Sequence, residues 1–145
     1  MRLMVLVAAM TAFATPVFAG DWRPVAQGDD VVVGIDYSRI TANGRRKQAW
    51  VIKSLRRPDH EAVSYTLSRV ELDCDAETFQ RNSLAGYTSD GRSVYSIQTP
   101  TGIDQVIPDT INDKLMIAVC RGEKFWDVAS DTASAMHAYM QRVWW

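Results

Sequence analysis

The chain has 145 residues, and its 16 lysines and arginines nearly balance 17 aspartates and glutamates, for a formal net charge of −1. That balance excludes a global electrostatic field for nucleic acid or a membrane surface. A hydrophobic share of 47% points to a buried core rather than a disordered chain.

The first residues read as an export signal. Arg2 supplies the positive start, Leu3 to Phe13 is an apolar run broken only by Thr11, and Val17-Phe18-Ala19 is a small-residue cleavage site. The run is too short to span a bilayer. Residues 1–19 are therefore expected to be a signal peptide and 20–145 a single domain. No cysteine follows the cut, so the expected protein is periplasmic or secreted and not a lipoprotein. In an oxidising compartment Cys74 and Cys120 read as one disulfide, with two buried thiols as the alternative. Neither cysteine belongs to a C-x-x-C motif, and His60 and His137 lack zinc-ligand spacing. No metal or other cofactor is expected.

Trp22 to Val25 suggests a short edge strand. Val31, Val33, Ile35 and Tyr37 alternate with other residues, the period of a half-buried strand. Asn43-Gly44 predicts a two-residue hairpin turn with both positions at positive φ, returning through a strand over Lys47 to Leu55. Arg56 to His60 is a loop, with Pro58 ending the ladder. Val63 to Cys74 reads as a long strand with a parity fault: Val63, Tyr65 and Leu67 share one face, while Val70, Leu72 and Cys74 share the other. One buried face cannot hold both sets, which predicts a bulge near Ser68-Arg69. Strands over Phe79 to Thr88 and Arg92 to Gln98 flank a turn at Asp90-Gly91.

The last third changes period. Thr110 with Asp113 forms an N-terminal cap, Ile111, Leu115, Ala118 and Val119 recur at helical spacing, and Gly122 stops the helix. Cys120 would then staple this helix to the strand ending at Cys74. Trp126, Ala129, Ala133, Met136, Met140 and Val143 make one apolar stripe of a second helix, with Asp127, Asp131, Ser134, His137 and Gln141 off it. The stripe either packs on the sheet or offers a face for a partner or a homodimer. The expected fold class is α+β: an antiparallel meander of five or six strands, with C-terminal helices packed on one face and tied by one disulfide.

Chemistry-bearing patterns are scarce. There is no nucleophile elbow, zinc-protease motif or phosphate-cradling glycine loop, so no catalytic residue is expected. Glu71, Asp73, Asp75 and Glu77 form an acidic row on one side of a strand, read either as a solvated face or as a cation or carboxylate site. Arg45, Arg46, Lys47, Lys53, Arg56 and Arg57 cluster on one hairpin and its following loop. They suit an anionic polysaccharide or a protein partner, or else a charged edge that resists aggregation. Trp144 and Trp145 offer an aromatic contact or pack under the sheet.

Several of these segments together resemble the surface-adhesin protein E family. They are Trp22, then Val33-Gly34-Ile35-Asp36-Tyr37-Ser38-Arg39-Ile40, then Gln48-Ala49-Trp50-Val51-Ile52. Val70-Glu71-Leu72-Asp73-Cys74, Tyr87-Thr88-Ser89-Asp90-Gly91 and Ile107-Pro108-Asp109-Thr110, leading to Val119-Cys120, complete the set. The resemblance covers roughly Trp22 to Cys120. It implies a curved antiparallel sheet with a disulfide-tied helix, and a non-enzymatic binding module whose founding type adheres to host matrix and serum proteins. The alternative is a structural protein of the cell envelope that dimerises or docks through its C-terminal helix. The chain departs from the family in lacking a lipidation cysteine and in carrying the extra stripe through Trp145.

Overall fold

The computed structural model describes residues 19–145; the expected signal peptide, Ala19 apart, lies outside the described residues. Eight strands form one antiparallel sheet: β1 (Trp22–Gln27), β2 (Val31–Asp36), β3 (Thr41–Asn43), β4 (Arg46–Leu55), β5 (Tyr65–Asp73), β6 (Thr78–Tyr87), β7 (Ser93–Ile97) and β8 (Asp104–Gln105). Their spatial order is β1-β2-β4-β5-β6-β7, with β3 beside β4 and β8 beside β6. Helices α1 (Ile111–Arg121) and α2 (Ala133–Trp144) follow. The α+β class, the antiparallel sheet and the Cys74–Cys120 disulfide are as expected, with an S–S distance of 2.07 Å.

Local chemistry explains most boundaries. Asp36 is fully buried and accepts from the N–H groups of Asp21 and Ser38, the Ser38 hydroxyl and Arg39 Nη1. It thereby caps a short 3-10 turn, Tyr37–Arg39, that links β2 to β3. The β3–β4 turn sits one residue later than predicted. Asn43 pairs with Arg46 inside the ladder, so Gly44-Arg45 forms the loop. Only Gly44 takes positive φ (+60°), which places glycine first as in II′ turns. Thr110 caps α1 by accepting from the Asp113 N–H, and Gly122 ends it in the left-handed conformation.

The parity fault of β5 has a different cause from the one predicted. Pairing of β4 with β5 runs without a break from Arg46↔Asp73 to Ser54↔Tyr65. The register slips between β5 and β6 at Arg69/Val70, where Asn82 of β6 is the extra residue. β5 changes buried parity because both faces of the sheet are covered. Val33, Ile35, Ala49, Val51, Val70 and Leu72 form one core with Leu115, Ala118 and Val119 of α1. Val32, Ile52 and Tyr65 form a second with Trp22 and with Met136 and Met140 of α2. These sets have opposite parity on β2, β4 and β5, so the helices lie on opposite faces instead of sharing one. The expectation of a common face failed because strand alternation was compared with a single inside.

The second helix also begins later than its stripe suggested. Thr132 caps it by accepting from the Ala135 N–H. Upstream, Ser130 exchanges two backbone hydrogen bonds with Trp22, and Gly20 donates to Asp131 O. Residues 123–132 are thus drawn along the β1 edge, and Trp126 and Ala129 fall outside the helix. Gly34 lets α2 approach: a Cβ there would lie 2.6 Å from Arg23 O and 3.0 Å from Met140 Cε.

Candidate functional site

Helix α1 covers only part of its face. Beside it, from Ile111 and Leu115 across β4, β5 and β6 to β7, the sheet holds an open groove of about 640 Å³. Strand register explains its lining. Val51, Ser68 and Leu84 stand in one cross-strand row, and Lys53, Thr66 and Gly86 in the next. The Tyr95 ring lies over Gly86, where a Cβ would come within 2.6 Å of it. The floor mixes apolar side chains such as Val51, Val70 and Leu84 with the hydroxyls of Thr66 and Ser68, and the lining also carries Lys53, Arg81, Asp59 and Asp104. The volume is within the range of ligand pockets, and the groove is open to solvent along the sheet.

Charge in the groove is partly uncommitted. Among the described residues neither Lys53 nor Arg81 makes an ion pair. Asp59 is held by its own loop, accepting from the N–H groups of Glu61 and Val63. Burial pushes the Tyr95 phenol above its ordinary range, with Asp59 and Glu61 adding to the shift and Arg81 opposing it. Tyr95 therefore stays protonated at neutral pH and presents a neutral hydroxyl.

The six basic residues singled out in the sequence do not converge. Arg45 pairs with Asp73 at 3.0 Å, and Arg46 pairs with Glu71 at 3.1 Å. Lys47 donates to Val119 O and Cys120 O at 3.2 and 3.0 Å, placing its charge on the negative C-terminal end of α1. Lys53 reaches the groove, Arg56 lies over the Trp145 ring at 5.4 Å, and Arg57 is exposed. Lys47 and Lys53 point to the α1 face of β4 and Arg46 to the other, as odd and even positions must.

The acidic row is divided too. Glu71 and Asp73 are in β5, whereas Asp75 and Glu77 lie in the turn after it. Asp73 accepts from the N–H groups of Asp75 and Ala76 at 3.2 and 3.0 Å. The Ala76 N–H, then Arg45, the Asp75 N–H and Arg46, hold its carboxyl below the usual range against a desolvation effect that raises it. Among the described residues no group of three or more histidines, cysteines and carboxylates could hold a metal ion.

Trp144 packs edge-on against Trp126 and Tyr139, and Trp145 joins the α2 core. Two residues placed outside the stripe, His137 and Gln141, are interior contacts of α2. His137 Nδ1 lies 2.8 Å from the fully buried Ser54 Oγ, and its ring stacks on Tyr65 at 4.8 Å. Gln141 Nε2 donates to Leu55 O at 2.6 Å and to Ser54 Oγ at 3.2 Å. The spacing of His137 and Gln141, one turn apart beside Met136 and Met140, was the available signal for this polar seam. A serine–histidine pair sealed in a core has no route to a substrate, so it is not nucleophilic machinery.

No described helix is long and apolar enough to cross a membrane. Residues 22–121 match the family described as surface-adhesin protein E. The match starts on the first residue of β1 and ends on the last of α1, so α2 lies beyond it. No curated protein and no solved structure matches the chain.

Proposed function

The chain belongs to the surface-adhesin protein E family, and we propose that it is an exported, non-enzymatic binding module, periplasmic or released, whose contact surface is the α1-face groove. The open groove carries this reading: a largely apolar floor beside α1, lined also by Lys53 and Arg81, which make no ion pair among the described residues. The basic hairpin is less suited, because Arg45, Arg46 and Lys47 already hold the β5 turn and the end of α1. Docking through α2 is disfavoured in the same way, since Met136 and Met140 are fully buried against the sheet.

Filling the groove tests the reading. Ser68→Trp puts a large ring on its floor and leaves the hairpin intact. Immobilised residues 20–145 would be challenged with cell-envelope extract and with purified host matrix and serum proteins. Ser68→Trp is expected to reduce capture by at least about tenfold, and Arg45→Ala/Arg46→Ala to leave it unchanged. Capture that follows the arginines and ignores Ser68→Trp would overturn the assignment.

A further inference from the structure

Helix α2 is held to its face by a seam with one titratable member. Leu55 O can only accept, so the Gln141 amide must point its NH2 group inward, and that group also donates to Ser54 Oγ. Ser54 Oγ keeps a second lone pair and its own proton, so its 2.8 Å contact with His137 Nδ1 is a hydrogen bond in either neutral tautomer. One ring nitrogen of a neutral His137 is thus satisfied inside the seam. His137 is 4% exposed and lies flat on Tyr65, which in turn stacks on Tyr87 at 5.2 Å.

Every element around the ring is uncharged at the contact. β4 supplies Ser54 and Leu55 O, β5 supplies Tyr65, and α2 itself supplies Gln141 and the two methionines. The nearby charges act elsewhere: Asp90 acts on Tyr65, and Arg56 lies over Trp145. A second proton on the ring would place a cation in this buried setting, with no carboxylate against it to offset the cost.

We propose that protonation of His137 releases α2 from the sheet, so that acidification opens the α2 core while α1 stays in place. This device is independent of what the groove binds. Burial holds His137 below its ordinary pKa of 6.5. Docked α2 therefore binds the proton less tightly than released α2 does. Its hold is complete above about pH 6.5 and weakens as pH falls towards the lowered value. With one proton taken up per release, the ratio of released to docked helix rises by up to about tenfold per pH unit across that window. α1 has no comparable dependence, because its core contains no histidine and the Cys74–Cys120 bond ties its last turn to β5.

Hydrogen exchange on the oxidised protein, residues 20–145, between about pH 7.5 and 5.5 tests this above the range where free carboxylates titrate. After correction for intrinsic rates, the opening constant of amides in 136–144 is expected to rise on acidification with a slope approaching one per pH unit. Amides in 115–121 should stay flat. His137→Gln, which retains an acceptor for Ser54, should abolish the slope. Equal slopes in both helices, or a slope that survives His137→Gln, would overturn the proposal. If that variant does not fold, an NMR titration of the wild-type His137 ring decides: it must titrate below the ordinary histidine value of 6.5, and an equal or higher value sinks the idea.

Discussion

Helix α1 and helix α2 close opposite faces of one sheet by different means, and one of those faces is left with an open groove. α1 is bolted at its C-terminal turn by Cys74–Cys120, gripped by Lys47 and packed through Leu115, Ala118 and Val119, and a groove lies beside it. α2 has no covalent tie. It is held by Met136, Met140, the His137–Ser54–Gln141 seam and the packing of Trp144 and Trp145. The family match ends with α1, so the residues lining the groove lie within the matched segment and the α2 face is closed by a segment beyond it.

The largest test of the contrast removes the bolt. Cys74→Ser/Cys120→Ser opens a loop with a sequence separation of 46. The chain-entropy account gives a loss of about 4 kcal/mol, read as a fall in the urea midpoint. Local exchange should loosen α1 before α2; the reverse order would show that packing, not the disulfide, holds α1. Next comes Met140→Ala on the other face. Met140 is fully buried, and its truncation should cost about 3 kcal/mol, with near-ultraviolet signals of Trp144 and Trp145 lost first. A cost below about 1 kcal/mol would mean that α2 is not held by its stripe. The smallest effects are at the caps. Thr110→Ala and Thr132→Ala each remove one acceptor for a helix N–H and should each cost about 1 kcal/mol by thermal melting. Thr132→Ala should act more on local exchange, since α2 has no bolt to hold a frayed first turn.

The sheet was legible because alternation survives in a single chain: Val31, Val33 and Ile35 are on one ladder face in the structure as in the sequence. The start and stop of α1 were legible because Thr110 and Gly122 act on their own neighbours. The start of α2 was not. Trp126 and Ala129 continue its periodicity, and only the pairing of Ser130 with Trp22, more than a hundred residues upstream, pulls them out of a helix. The groove was invisible for a related reason. Of the residues lining it, only Lys53 was singled out in the sequence as a candidate contact, as part of a hairpin cluster; Val33, Val70, Ile111 and Leu115 were read only as core positions. Thr66, Arg81, Leu84 and Tyr95 belong to three different strands and share no local pattern.

What the sequence determined by itself are the properties carried within a few residues or by a covalent constraint. These are the antiparallel strands, the cap and stop of α1, the pairing of the only two cysteines and the family. Tertiary structure alone decided which face each helix takes, because one strand's alternation defines two faces without naming an inside. It also decided the fate of the charges. Arg45, Arg46 and Lys47 read as a patch when adjacent in sequence, yet successive positions of a hairpin point to different neighbours. His137, counted among the residues off the stripe, became the one titratable group inside the α2 seam because Ser54 and Tyr65 meet it from two adjacent strands.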